Sequence, residues 1–96
     1  METQFYITLT LKTVKGLESF AKFFIGNQRE RAYAIFRKLE GMHEVSETNV
    51  LYIDFMETKM GLPVNLEVIT CTLDQLAENC RIITKELFKS ENLESE

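Results

Sequence analysis

From Phe5 to Lys12 apolar and polar residues alternate: Phe5, Ile7, Leu9 and Leu11 against Tyr6, Thr8, Thr10 and Lys12. Successive side chains of a strand point to opposite faces, so the pattern predicts a half-buried β-strand over about residues 5–13. Thr13-Val14-Lys15-Gly16 then offers a turn, with glycine where positive φ is most needed. Leu17–Ile25 reads two ways, as a short helix using Leu17, Phe20 and Phe24 or as the second strand of a hairpin. Three phenylalanines within five residues, with no helix cap before them, suit a pleated surface better. A strand is therefore expected over about 17–25.

The period then changes to that of a helix. Asn27 with Glu30 three residues on is a capping pattern, and Ala32, Ile35, Phe36 and Leu39 follow at i, i+3, i+4, i+7. A helix is expected over about 28–40, ended by Gly41. The same order then recurs. Leu51, Ile53 and Phe55 alternate with Val50, Tyr52, Asp54 and Met56, Thr58-Lys59-Met60-Gly61 turns, and Val64–Cys71 is rich in β-branched residues behind Pro63. Strands are expected over about 49–57 and 63–71, with Pro63 at a strand mouth where a missing amide is tolerated. Thr72 with Gln75 is a second capping pattern, opening a helix over about 73–89 with an apolar stripe of Leu73, Leu76, Ala77, Cys80, Ile83 and Leu87.

Laying one half on the other with a shift of 45 residues superimposes Gly16 on Gly61, Asn27 on Thr72, Glu30 on Gln75 and Ala32 on Ala77. Turn, cap and helix coincide, as in a duplicated ββα unit. The first strands fall out of phase, because Ile7, Leu9 and Leu11 land on Tyr52, Asp54 and Met56; a bulge or a longer turn would restore the match. The chain thus reads as a single α+β domain over 1–96, ββαββα, with similar halves at about 5–41 and 49–89. Its four strands form a mainly antiparallel sheet with two helices on one face. The polar, acidic stretch at about 90–96 is expected to be disordered.

Such a sheet leaves its other face open. Tyr6, Thr8, Thr10 and Lys12 would share it with Val50, Tyr52, Asp54 and Met56, joined by Ile69 and Cys71 if their phase allows. A partly apolar face on so small a protein commonly meets a second copy, so a homodimer through Tyr6, Thr8, Tyr52, Asp54 and Met56 is expected. A dimer built on helices would instead use Ile82, which falls nearly opposite Leu73 among charged residues.

Charge changes the picture only locally. Residues 1–40 carry seven bases and four acids, residues 41–96 four bases and eleven acids. With a net charge of −4, phosphate is repelled overall and nucleic-acid binding is not the default. The alternative it leaves is a nucleic-acid module using Arg31, Arg37 and Lys38 of the first helix, with the sheet aromatics stacking on bases. No membrane span is expected, and two cysteines read as reduced core residues of a cytoplasmic protein.

Candidate chemistry is sparse. The single histidine, His43, would need Cys71 and Cys80 to make a zinc site, and their spacing is not that of paired ligands. Asp54 and Glu67 could form a ligand or acid–base site if the register set them on one face. No phosphate loop, nucleophile elbow or metalloprotease signature occurs. The expectation is a non-catalytic interaction module with no cofactor or metal. Beyond a second copy, its protein partner is unspecified.

Overall fold

The computed structural model describes residues 3–44 and 49–89, and the tail at about 90–96 lies outside the described residues. The order is β1 (Gln4–Thr13), β2 (Gly16–Phe24), α1 (Arg29–Arg37), β3 (Leu51–Lys59), β4 (Leu62–Thr70) and α2 (Leu73–Phe88). The strands form one antiparallel sheet in the order β2-β1-β3-β4. The ambiguous stretch after Gly16 is therefore a strand, and the two hairpins abut through their first members.

The core lies between this sheet and both helices. Phe5, Ile7, Leu9, Ile53, Phe55 and Ile69 from the strands meet Ala32, Ile35 and Phe36 of α1 and Ile83 of α2. Phe55 is its centre, with Phe36 stacked at 5.0 Å, Tyr33 edge-on at 4.8 Å and Phe5 at 6.1 Å. Each such side chain removed from water contributes about 1.5–3 kcal/mol, so the face carrying them fixes where the helices lie. Ile69 sits opposite Ile53 and belongs to this core, not to the open face.

Helix ends depart from the sequence reading in instructive ways. Helix α2 opens as expected: Thr72 Oγ1 accepts from the Gln75 amide at 3.1 Å, and the Gln75 side chain accepts from the Thr72 amide at 2.9 Å. Helix α1 does not use Asn27. Its N-cap is Gln28, which makes no side-chain cap bond, and the helix stops at Arg37 rather than about residue 40. Gly41 serves close approach rather than helix termination, since a Cβ there would stand 2.6 Å from the Thr70 carbonyl oxygen. The next residue, Met42, bridges antiparallel to Thr70.

The stripe expected on α2 is also corrected at its first turn. Leu73 is 72% exposed and Ala77 is exposed, while Asn79 is fully buried. Asn79 Oδ1 accepts from the Glu40 amide at 2.7 Å and its Nδ2 donates to the Glu40 carbonyl at 2.8 Å. A polar side chain thus occupies a core position because it satisfies backbone groups just past α1.

The phase conflict between the halves has a simple resolution. Adding 46, not 45, to the residue numbers of the first hairpin reproduces the register of the second. Thr13↔Gly16 becomes Lys59↔Leu62, and the bulge between Leu9 and Thr10 becomes that between Phe55 and Met56. The unpaired residues, Phe20 and Leu66, correspond as well. Matching Gly16 to Gly61 misleads by one position, because Gly16, at φ 118°, follows its turn, whereas Met60 and Gly61, at φ 53° and 81°, form theirs. Thr8 and Asp54, paired across the centre of the sheet, are equivalent under the same shift.

Candidate functional site

Three rows of residues cross the helix-free face of the sheet. Strand pairing sets Phe24, Tyr6, Met56 and Asn65 in one row, Lys22, Thr8, Asp54 and Val68 in the next, and Ser19, Thr10, Tyr52 and Thr70 in the third. The expected face residues Tyr6, Thr8, Tyr52, Asp54 and Met56 are therefore together. The face is not the open plane expected from the alternation, however. Tyr6, Thr8 and Thr10 on β1 are only 7–9% exposed although no helix covers them. Side chains on neighbouring strands shield them and leave a trough of about 550 Å³, lined by residues that include Thr8, Lys22, Asp54 and Asn65. Bulges in both edge strands bend the sheet at its margins, which favours such a shape over a flat surface.

The polar groups of the trough are held by one another. Asp54 Oδ2 accepts from Thr10 Oγ1 at 3.0 Å, and its Oδ1 accepts from Asn65 Nδ2 at 3.1 Å. Thr10 Oγ1 lies 3.3 Å from Ser19 Oγ, extending the chain of contacts to β2. Across the trough, the Lys22 ammonium stands 4.8 Å from the centre of the Tyr6 ring and 5.9 Å from that of Phe24. A cation over an aromatic face is attracted by about 0.5–1 kcal/mol at an exposed site, enough to bias the side chain away from Asp54. Neither Lys22 nor Asp54 forms an ion pair among the described residues.

Glu67 does not join Asp54. It pairs with Phe55 and so points to the helix side, where its carboxylate lies 3.5 Å from His43 Nε2, while Asp54 occupies the opposite face. The expected carboxylate pair is ruled out by alternation along β4 together with the bulge at Leu66. His43 and Glu67 border a shallow cavity of about 120 Å³ with Phe36, Leu39, Gly41 and Ile69. Burial pushes the Cys71 thiol above its ordinary range, with Cys80 adding to the effect, and burial raises Cys80 likewise. Protonated thiols are poor nucleophiles and metal ligands. Among the described residues no three His, Cys, Asp or Glu side chains gather as a ligand set.

The basic residues of the first helix and its end lie on the far side of the sheet from Tyr6 and Tyr52. Lys38 is paired with Glu86 at 3.1 Å, the Arg37 guanidinium lies 5.3 Å from the Tyr33 ring centre, and Arg31 is half-buried. Ile82 is half-buried on α2, on the helix side, and takes no part in the trough. The sequence reading missed Lys22, Ser19 and Asn65. Their only signal was two-residue alternation along β2 and β4, which the bulges at Phe20 and Leu66 interrupt.

The margin of this face along β2 carries exposed apolar side chains. Leu17, Phe20 and Phe24 are each more than half exposed, on a nine-residue strand at the sheet edge. The opposite edge, β4, carries Pro63 and is bridged by Met42 at Thr70. No known protein family, curated protein or solved structure matches this chain.

Proposed function

We propose that this chain is a small non-catalytic interaction module that works through the helix-free face of its sheet and pairs with a second copy along β2. The observation that carries the first part is the trough itself, whose volume falls within the range of about 300–1,000 Å³ typical of ligand sites. Its floor combines a carboxylate, an amide and hydroxyls, groups suited to orienting an occupant.

Self-pairing along β2 is supported by the contrast between the two sheet edges. Proline and a bridging segment blunt β4, whereas β2 offers Leu17, Phe20 and Phe24 without either device. The bulge at Phe20 divides this edge into two short runs, so side chains would supply more of the contact than a continuous ladder. A trough facing its own twin would enclose a void, which favours the edge over the face as the two-fold contact. The matched hairpin registers support descent from a duplicated ββα unit, and the two free thiols suit the reducing cytoplasm.

Light scattering at low micromolar concentration tests the pairing. The wild type should give about 22 kDa, twice the 11.2 kDa chain. Phe20→Glu should return it to the monomer mass, and Tyr52→Glu, in the face but away from the edge, should leave the dimer intact. A monomeric wild type would overturn the pairing. Splitting by Tyr52→Glu but not Phe20→Glu would move the contact to the face.

A further inference from the structure

Lys22, Thr8 and Asp54 occupy one row across three adjacent strands. At about 4.8 Å per strand, the backbones bearing the two charges are about 10 Å apart. Each charge is tethered away from the other: Asp54 by Thr10 and Asn65, Lys22 over the rings of Tyr6 and Phe24. The trough therefore presents a negative and a positive group on the same floor, unneutralised by each other, with Thr8 between them. Each Asp54 oxygen accepts one bond from the protein and retains a further lone-pair direction, and the Lys22 ammonium has donors to spare.

From this geometry we infer that the trough takes a small zwitterionic molecule, its ammonium on Asp54 and its carboxylate on Lys22. An occupant with charges separated by a few methylene groups matches the spacing, its carbons lying over Thr8 and against the neighbouring Tyr6 and Met56. A monocation or monoanion would satisfy one group and desolvate the other without a partner, which costs affinity. This assignment rests on the reading of the trough as the binding surface.

Amide spectra of the isotope-labelled full chain test it, with 4-aminobutyrate, butylamine, butyrate and phenol as probes. Saturable shifts centred on Thr8, Lys22 and Asp54 are expected with 4-aminobutyrate, and at least about tenfold weaker binding with butylamine or butyrate. Asp54→Asn and Lys22→Met, both with retained spectra, should each weaken 4-aminobutyrate by about tenfold or more. Equal binding of butylamine, an unaffected Asp54→Asn variant, or saturation away from the trough would overturn the zwitterion. Shifts at Tyr6 and Met56 with phenol alone would also overturn it while sparing the trough as a binding surface. Silence from all four probes would remove both.

Discussion

Asn79 shows how much one side chain can hold when its bonds go to backbone. It is fully buried, and both ends of its amide are matched to the N–H and C=O of Glu40. Asn79→Ala leaves those groups without their partners in a partly desolvated place, and a loss of about 2–3 kcal/mol is expected. Urea titration followed by circular dichroism measures it; a loss below 0.5 kcal/mol, on the order of a surface substitution, would show that water replaces the clamp. Met60 is the converse case. It holds φ 53° in a two-residue hairpin turn while the residue is 81% exposed, so the conformation is disfavoured and no packing offsets it. Asn tolerates this region better than unbranched apolar residues. Met60→Asn should stabilise the fold by about 0.5–1 kcal/mol, seen as a rise of several degrees in Tm.

Among the elements, the two helices begin with different physics although the sequence marks both with a cap. Thr72 and Gln75 exchange both bonds of a capping box, whereas Asn27 stands one residue too early and Gln28 makes no cap bond. Thr72→Ala should therefore cost about 1 kcal/mol, while Asn27→Ala should fall within the few tenths expected of a surface change. Chemical denaturation of the two variants side by side checks the contrast, and equal losses would contradict the assigned N-caps. The mismatch arises because the first half spends four residues between β2 and its helix where the second spends two. A fixed shift between the halves cannot match both hairpin and helix.

Across the whole molecule, charges tie the helices to each other and to the sheet. Arg29 reaches the carboxylate of Glu57, a buried residue on the sheet's helix side, at 3.0 Å. Lys38 of the segment after α1 meets Glu86 of α2. The hydrogen bond from Lys38 holds the Glu86 carboxyl below its ordinary range, opposed by partial burial and aided by the charges of Lys38, Lys89 and Lys85. A carboxyl with a lowered folded-state pKa stabilises above its unfolded value and loses that contribution as pH falls through the folded one. Lys38→Met should thus cost about 0.5 kcal/mol near neutral pH. The gap should close in acid, as pH falls through the lowered folded-state value and Glu86 protonates. Denaturation midpoints of both proteins measured at neutral and acid pH provide the check, and a gap that persists in acid would assign the cost to lost packing by the lysine stem.

How much of this was legible in sequence follows the range of the interactions. Alternation and helical spacing are local, so most of the ββαββα order and the Thr72 cap could be read directly, while Gly16–Phe24 fitted a short helix as well as the strand it forms. The gathering of Tyr6, Thr8, Tyr52, Asp54 and Met56 on one face also followed, since alternation along β1 and β3 runs unbroken where they lie. Strand order did not follow, because any two amphipathic hairpins can abut through either edge. Register across the bulges at Phe20 and Leu66 was equally hidden: one unpaired residue exchanges the faces beyond it. That exchange separated Glu67 from Asp54 and brought Lys22 into the trough. The sequence by itself determined which residues seek the core and in what local period. Only tertiary pairing decided which polar residues face one another, because their contacts join strands far apart along the chain.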